Sequence, residues 1–587
     1  MTRGRFAASL AAIALLAAVL RGLFPSADPP WRSTVGVVWH DEGAWVHNAR
    51  NKALFGAWRQ DEWNPVYIAP VFTALEYASF EAFGVGVRQA RLVSEVAGLL
   101  SVILLALGVR RLAGDRAGLI GGALLAVNYV YVMYNRAAIM EALMAAFIVA
   151  SWYCSTRAER EPRWGALAGL FATLAFFTKA AAAFYVGALA LAAVIRVVEG
   201  WNAGAGRSLP LSVPPKGGNY RNPFEDSVVS AFRRKSSLWT LAGLAISFGL
   251  IAALFVLPHW GDYQFYNWQM SVTRKPSYDL ASVLQRVTWF PILHDTFSRM
   301  WAVLALGLAG AWGILARWRR APDGERLLLL WVAVGALELL VHDVGNERRL
   351  VFLIPALVAL ASLVLTRGSL LPDEAARVPR RAILLLSPAI LYCAYVLTAP
   401  VARLPFLAEV HAGALSHAVR LAAAAGFVFG AAIVAGWPRL SATAGRGLWT
   451  PFVANALVWA FAAWNLVQYG DWALNRTYEN YEASLALGRA LPPDTLIQGK
   501  LANGLALENR IRPIFIGHEF GNYADRKQRW DVRYILTYTD PEIGHEGDQI
   551  VDVLAAYPGW QIIMTFDVAE TPSGHDKAAL IEKRARH

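Results

Sequence analysis

The sequence predicts an all-α polytopic membrane protein of about 13 transmembrane helices, followed by a soluble C-terminal α/β domain. Three observations predict this fold class. The 587 residues are 56% hydrophobic and only 17% charged, which is too apolar for a soluble protein. Apolar runs of mostly about 15–21 residues recur, close to the length that crosses a bilayer as a helix. The last stretch, from residue 469 onward, lacks such runs.

The apolar runs are predicted to be helices, because only helices and closed barrels satisfy their backbone hydrogen bonds inside lipid. Runs rich in leucine, alanine and valine favour the helix. We interpret the first as an uncleaved anchor, with a signal peptide as the alternative because Arg3 and Arg5 precede it. The predicted spans lie near residues 6–23, 93–109, 118–134, 139–155, 165–178, 180–195, 238–257, 300–316, 327–341, 350–366, 382–399, 419–436 and 448–468.

Basic residues are denser in the loops on the N-terminal side of these spans, with clusters such as Arg110-Arg111, Arg233-Arg234 and Arg380-Arg381. Positive residues favour the cytoplasmic face, so the N-terminus is predicted to be cytoplasmic. An odd number of spans then places the C-terminal domain outside. We therefore predict a multi-pass protein of the cytoplasmic membrane that contacts membrane lipids. The net charge of +12 follows from topology, and no nucleic-acid partner is predicted.

Two domains are predicted. Residues 1–468 form a transmembrane domain with an external loop at 24–92 and an aromatic external loop at 259–299. Residues 469–587 form an extracytoplasmic soluble α/β domain, which is long enough to bury its own core. Its predicted elements are helices at 478–490 and 548–556 and strands at 495–498, 511–516, 531–537 and 560–565.

The polar residues that stand out all fall on the predicted external side. Asp41-Glu42 follow the first span, Arg136 and Glu141 flank a turn between two spans, and Lys179 joins two more. The last group is the segment 342–349. A transporter would be expected to bury charge near the middle of the membrane. Charge at one water–lipid boundary instead favours chemistry on a lipid headgroup.

Four segments carry a resemblance to a known family, and they occur in the family's order. The chain resembles the polytopic GT-C glycosyltransferases, in the branch that contains protein O-mannosyltransferases and the aminoarabinose transferase of lipid A. The most specific segment is the first. The four are HDEGAWVHNARNKALFGAW at 40–58, NRAAIMEALMAAF at 135–147, FFTKAAAAFYVGAL at 176–189 and NERRLVFLIPALVALASL at 346–363.

The resemblance implies an inverting transfer of a sugar from a polyprenyl-phosphate carrier to an acceptor on the outer face of the membrane. The acceptor is an envelope lipid, a polysaccharide or a protein. By the family's pattern Asp41 is the general base, with Glu42 as a second catalytic candidate. The leaving phosphate needs cations, and the candidates are Lys179, Arg348 and Arg349. Arg136 and Glu141 are candidates for a supporting or acceptor-binding role.

Each of these residues also has a structural interpretation. Asp41 could be the N-cap of a helix over 43–56, and Glu42 a helix-start or supporting residue. Arg136 and Glu141 are five residues apart and do not share a helix face. Lys179 could be an interfacial lysine whose ammonium reaches water. The family usually has Asp near Glu141 and Gly after the Thr-Lys pair, where this chain has Ala180.

Three questions stay open from the sequence. The aromatic residues of loop 259–299 suit a membrane-interface belt or a surface for sugar and prenyl chain. His259, Asp262, His294 and Asp295 do not have the spacing of a known metal site, so no cofactor is firmly implied and a divalent metal is not favoured. The alternative function is a non-enzymatic lipid flippase or transporter, which would tolerate Asp41→Asn.

Overall fold

The fold is described from a computed structural model. It describes residues 1–30, 38–205, 223–270, 278–283, 296–342, 347–367, 378–403, 421–422, 424–436, 450–515, 524–539, 547–569 and 576–584. Each of the predicted spans overlaps a helix within these residues. The predicted fold class, a helical membrane protein with a small C-terminal α/β region, is therefore confirmed.

The first half of the chain is a series of helices joined by short breaks. Two of them, α2 and α3, lie in the predicted external loop 24–92 and were not predicted as spans. The helices are α1 (Arg3–Gly22), α2 (Val38–Phe55), α3 (Pro70–Phe83), α4 (Val87–Val127), α5 (Tyr129–Asn135), α6 (Met140–Ala158), α7 (Trp164–Thr178), α8 (Ala183–Ala205), α9 (Pro223–Ile251) and α10 (Trp260–Trp268).

The second half continues the helical part and then changes to mixed structure. Its helices before the sheet are α11 (Trp301–Ala316), α12 (Asp323–His342), α13 (Ile354–Thr366), α14 (Arg380–Leu385), α15 (Ser387–Thr398), α16 (Ala424–Gly436) and α17 (Pro451–Leu474). A 3₁₀ helix, Glu347–Leu353, leads directly into α13.

Helix α4 is two helices joined by a reversal. Gly114 has φ +86°, a left-handed conformation that glycine adopts without a Cβ clash. The halves on either side of it pack against each other: a Cβ on Gly118 would lie 2.6 Å from the carbonyl oxygen of Ala106. The 41 residues therefore account for two predicted spans, 93–109 and 118–134.

Among the described residues, five helices are long and apolar enough to cross a membrane, or six if the bent pair α5 and α6 is one span. That pair bends by 114°. Shorter apolar helices of 10–17 residues occur at Trp164–Thr178, Trp301–Ala316, Ser387–Val401 and Ala424–Gly436. The chain is a multi-pass membrane protein, and the number of about 13 spans stays a prediction.

The described residues of the C-terminal region form a five-stranded sheet and three short helices. Parallel strands β2, β1 and β3 form one side, and the last two strands pair antiparallel, giving the order β2-β1-β3-β5-β4. The elements are α18 (Glu479–Ala490), β1 (Leu496–Gln498), α19 (Lys500–Gly504), β2 (Arg512–Ile514), β3 (Tyr534–Tyr538), α20 (Gly547–Ala555), β4 (Gln561–Val568) and β5 (Asp576–Glu582). The sequence predicted all of them except α19 and β5.

The C-terminal region packs on the segment after α1 and on α2. Asp28 accepts hydrogen bonds from the hydroxyl of Thr477 (2.7 Å) and from the backbone N–H of Glu479 (2.8 Å), at the start of α18. Asp61, in the loop after α2, accepts the backbone N–H of Phe515 at 2.7 Å. The sheet therefore lies at the same end of the helices as α2.

Candidate active site

Asp41 lies inside the first turn of α2, which begins at Val38. It is therefore not the N-cap of that helix. Its carboxylate is paired with Arg348, whose Nη1 donates to Oδ2. The two side chains are only partly exposed, at 22% and 17%. The candidate base is thus in contact with a candidate phosphate-binding cation that lies 307 residues further along the chain.

Glu141 links Arg348 to a second candidate cation, Lys179. It stands in the first turn of α6, where the helix dipole favours a carboxylate, and it is buried. Its Oε1 accepts a hydrogen bond from the ammonium of Lys179, and Nε of Arg348 lies 3.6 Å from the same oxygen. One carboxylate therefore holds two cations in place.

Lys179 owes its position to a break between two helices. It is the C-cap of α7 with extended backbone (φ −157°, ψ 122°), and its N–H closes the helix on the carbonyl of Ala175. A short 3₁₀ turn, Ala180–Ala182, then leads into α8. The break turns the lysine side chain, which an uninterrupted helix would direct elsewhere, toward α6.

Lys179 and Arg349 line a common cavity. The cavity is small, and its lining combines charged and apolar side chains. Its walls come from α6, the α7–α8 junction, α12 and the 3₁₀ helix. The lining residues are Glu141, Met144, Lys179, Ala181, Glu338, Leu339, Arg349 and Phe352. We call Asp41, Glu141, Lys179, Arg348 and Arg349 the polar cluster.

Two acidic residues beside the polar cluster were not predicted as site residues from the sequence. Glu338 lines the cavity from α12, and its signal was an ionisable residue within the apolar run 327–341. Glu347 is buried next to Arg348 and accepts hydrogen bonds from Tyr134 (3.0 Å), Thr296 (2.8 Å) and Arg299. Glu347 thereby fixes the 3₁₀ helix that carries both arginines.

Glu42 faces away from the polar cluster. It is fully buried, and both its oxygens accept from Arg91 at 2.8 Å in a bidentate pair. Its Oε1 also accepts the backbone N–H of Ala138, in the turn between α5 and α6, at 2.7 Å. This geometry is that of a residue that positions α2 on its neighbours.

Arg136 is likewise outside the polar cluster and does not meet Glu141. Its guanidinium donates to the carbonyls of Leu20 (3.1 Å), Arg21 (2.5 Å) and Phe24 (2.8 Å) at the end of α1. The last carbonyls of a helix have no partner within it, so Arg136 supplies one. It also lies over the ring of Trp472, 4.5 Å from the centroid. The structure therefore gives Arg136 a capping role.

A second buried carboxyl lies near Glu42. Glu76 of α3 is fully buried, and neither oxygen has a hydrogen-bond partner among the described residues. Burial, and secondarily the charge of Glu42, raises the pKa of Glu76 well above its ordinary value. Glu76 is therefore expected to be a neutral carboxylic acid in the folded protein at neutral pH.

We expect Glu76→Gln to reduce the loss of stability as pH rises. A raised folded-state pKa means that the contribution of Glu76 is fully present below the ordinary carboxyl pKa and is lost as pH rises toward the folded-state pKa. The glutamine has no proton to lose. Thermal unfolding midpoints measured from about pH 5 to about pH 9 check this. Glu81→Gln, an exposed position on the same helix, is the control, and equal pH slopes in wild type and Glu76→Gln would contradict it.

Part of the aromatic loop 259–299 is described. Helix α10 exposes Trp260, Phe265 and Trp268, as a membrane-interface belt would. Its buried face carries Tyr266, which stacks on Tyr67 with 5.6 Å between ring centroids. Residues 271–277 and 284–295, which include His294 and Asp295, lie outside the described residues. The belt and the sugar- or prenyl-binding interpretations both stay open.

In the part of the chain that the structure describes, no three His, Cys, Asp or Glu side chains come together as a metal site. Asp262, one of the residues considered for a metal from the sequence, pairs with Arg59 at 3.1 Å. Whether the protein uses a metal stays a prediction.

Comparisons with known proteins bear on the fold and on part of the sequence. The family model described as dolichyl-phosphate-mannose-protein mannosyltransferase matches residues 67–207. That segment contains Glu141 and Lys179 of the polar cluster. No curated protein sequence gave a significant match.

Three solved structures illustrate the structural similarity. The apo crystal structure of ArnT from Cupriavidus metallidurans is 15% identical, covers 99% of this chain and 98% of its own, and has a TM-score of 0.51. The crystal structure of the same protein bound to undecaprenyl phosphate is 16% identical, the match covers 98% of this chain and 97% of that protein, and the TM-score is 0.48. The third structure is the archaeal oligosaccharyltransferase AglB from Archaeoglobus fulgidus in complex with an inhibitory peptide and a dolichol-phosphate. It is 13% identical, the match covers 97% of this chain and 74% of that protein, and the TM-score is 0.40.

The family match and the apo ArnT fold together confirm the predicted resemblance. Over nearly its whole length the chain has a fold similar to that of ArnT, and residues 67–207 match the model of the dolichyl-phosphate-mannose-protein mannosyltransferase family.

Proposed function

We propose that the protein is an inverting glycosyltransferase that moves a sugar from a polyprenyl-phosphate carrier to an acceptor hydroxyl at the outer face of the cytoplasmic membrane. The observation that carries the proposal is the polar cluster itself. The partly exposed carboxylate of Asp41 on α2 pairs with Arg348, which also lies 3.6 Å from the buried Glu141. Glu141 binds Lys179 in turn, and Arg349 lines a cavity together with Lys179. A base beside a phosphate-binding site is what this transfer requires.

In the proposed reaction Asp41 takes the proton of the acceptor hydroxyl. The hydroxyl oxygen forms a bond to the anomeric carbon while the bond between that carbon and the phosphate oxygen breaks. One displacement inverts the configuration, and the polyprenyl phosphate leaves as an anion. Lys179, Arg348 and Arg349 stabilise its charge, so no acid catalyst is needed.

The pairing of Asp41 with Arg348 suggests how the base is freed. A carboxylate whose lone pairs are held by a guanidinium accepts a proton poorly. A bound donor phosphate would compete for Arg348, because guanidinium binds phosphate with its planar fork of donors. Donor binding would then release Asp41 beside the anomeric carbon.

The topology of the proposal is supported by the contacts of the C-terminal region. The sheet packs on α2, so Asp41 and the C-terminal domain lie at the same end of the helices. The distribution of basic residues supports the proposal that this end is outside and the N-terminus is in the cytoplasm. We extend the proposal to the domain boundaries, 1–468 for the transmembrane part and 469–587 for the extracytoplasmic part.

The proposed function is tested by transfer from a panel of radiolabelled polyprenyl-phosphate sugars in vesicles that contain the purified protein. The panel should include pentose, hexose and amino-sugar donors, with envelope glycolipid, polysaccharide and peptide acceptors. Transfer from one donor, with inversion at the anomeric carbon, is the expected result. Retention of configuration would contradict the single displacement.

We expect Lys179→Gln and Arg349→Gln each to weaken binding of polyprenyl phosphate by about 10- to 100-fold. A hydrogen bond to a charged group contributes about 1.5–3 kcal/mol, which corresponds to that range. Equilibrium binding to the protein in lipid nanodiscs measures the effect. Lys52→Gln is the matched control, because the Lys52 ammonium donates to the carbonyl of Gly56 at the end of α2. Unchanged affinity in both site variants would remove these cations from the phosphate site.

A further inference from the structure

We propose that residues 500–511 of the C-terminal region set the position of Asp41 by holding the opposite face of α2. The C-terminal region is then part of the catalytic unit, and Gly43 and Arg50 are positioning residues. The inference rests on the proposed function, since it takes Asp41 as the base. It assigns the C-terminal region a task that the transfer reaction needs.

Three consecutive residues of α2 are held by three different parts of the protein. Successive side chains of a helix point about 100° apart. Asp41 faces Arg348, Glu42 faces Arg91, and Gly43 faces the backbone of α19. The start of α2 is therefore fixed on all sides, and the C-terminal region provides one of the sides.

The contact at Gly43 leaves no room for a side chain. A Cβ at this position would lie 2.0 Å from the carbonyl oxygen of Asn503 and 2.8 Å from the Cα of Gly504. Both are backbone atoms, so they cannot move aside by a change of rotamer. A glycine inside a helix costs about 1 kcal/mol relative to alanine. Here that cost permits direct backbone contact between α2 and α19.

Arg50 holds the same face of α2 two turns further on. Seven residues separate it from Gly43, a spacing that returns to one side of a helix. The side chain is 1% exposed and donates to the carbonyls of Ala506 (3.0 Å), Asn509 (2.9 Å) and Ile511 (2.8 Å). These three bonds join α2 to the loop between α19 and β2. The contact is therefore a built interface rather than a single touching point.

The interface between α2 and α19 controls the position of α2 along the direction from α19 to Arg348. Asp41 and Gly43 are two residues apart, so their side-chain directions differ by about 200°. A displacement of α2 away from α19 therefore moves Asp41 toward Arg348 and the phosphate cations. A shift of about 1 Å at a reacting group can cost about 100-fold in rate. The backbone of residues 503 and 504 thus sets how far the base stands from the donor site.

Gly43→Ala tests this directly. The added methyl group must push α2 from α19, so we expect kcat to fall about 100-fold while binding of polyprenyl phosphate stays within about twofold of wild type. A variant that only weakened folding would lose binding and rate together. Gly470→Ala is the matched control, because Gly470 lies within helix α17 and a Cβ there would meet nothing within 4 Å. It should keep the wild-type kcat.

Arg50→Lys provides a second test that does not add volume. A lysine cannot span three carbonyls, so we expect a fall in kcat of at least about tenfold with retained binding of polyprenyl phosphate. Arg489→Lys, at an exposed arginine in the last turn of α18 and outside residues 500–511, is its control and should keep the wild-type kcat. If Gly43→Ala does not fold, Arg50→Lys decides.

The outcomes separate this inference from the proposed function. Full kcat in both Gly43→Ala and Arg50→Lys, with Asp41→Asn inactive, would overturn the positioning role and leave the proposed function standing. Parallel loss of binding and rate in both variants would also overturn it. If Asp41→Asn transfers sugar at the wild-type rate, the proposed base fails first.

Discussion

Asp41→Asn is expected to lower sugar transfer by about 10³-fold or more while binding of the lipid donor is kept. The asparagine has nearly the same shape and can still accept a hydrogen bond from Arg348, but it cannot take the proton of the acceptor hydroxyl. The lost rate should therefore appear in kcat. Initial rates at saturating donor, together with equilibrium binding of polyprenyl phosphate, measure the two effects separately.

Asp471→Asn is a suitable control for this prediction. Asp471 accepts hydrogen bonds from the side chain of Asn475 at the exposed end of α17, away from the polar cluster. The control should retain wild-type kcat. Transfer that survived in Asp41→Asn would leave the fold untouched and exclude Asp41 as the base.

Glu42→Ala is expected to destabilise the protein by about 3–5 kcal/mol, the range for removing one partner of a buried ion pair. The change leaves the guanidinium of Arg91, which is 2% exposed, without its bidentate carboxylate. It also removes the acceptor for the N–H of Ala138. The stability loss measured by chemical denaturation in detergent should far exceed any loss of donor affinity.

Glu81→Ala, at an exposed glutamate of α3, is the control and should change stability little. A Glu42→Ala variant that is as stable as wild type and yet inactive would contradict the positioning role. It would instead make Glu42 a second catalytic carboxylate, the other interpretation that the sequence allowed.

The helices could be predicted because lipid imposes a strong rule on the sequence. A long apolar run must hydrogen-bond its own backbone, so the run and the helix coincide. The reversal at Gly114 falls in the charged stretch 110–116, between the spans predicted at 93–109 and 118–134. Helix α2 was predicted in part, as a helix over 43–56, whereas α3 lies in the predicted external loop 24–92 and was not predicted.

The polar cluster could be predicted in part because charged residues beside apolar runs are costly. Asp41, Lys179 and Arg348 stood out for that reason, and the structure brings them together around Glu141. Glu338 was overlooked although it lies within an apolar run. Arg136 stood out equally, but it contacts the carbonyls at the end of α1 and the ring of Trp472 instead of the polar cluster. A charged residue near a membrane boundary indicates that its side chain has a polar partner, but the sequence does not identify that partner.

The C-terminal sheet shows which strands carry a local signal. Strands β1 to β4 are rich in branched or aromatic residues and were predicted. Strand β5, with the sequence Asp-Lys-Ala-Ala-Leu-Ile-Glu, has the composition of a helix. Antiparallel pairing with β3 and β4 on both sides makes it a strand. The contact between Gly43 and Asn503 joins residues far apart in the chain, so no local pattern reveals it.

The fate of the donor lipid in reconstituted vesicles distinguishes a glycosyltransferase from a flippase. The sugar and the prenyl chain of one donor would carry different labels, and wild type and Asp41→Asn would be compared. We expect wild type to release one polyprenyl monophosphate for each sugar transferred, and Asp41→Asn to release none. Movement of the intact donor across the bilayer at equal rates in both proteins would contradict this expectation and identify a flippase.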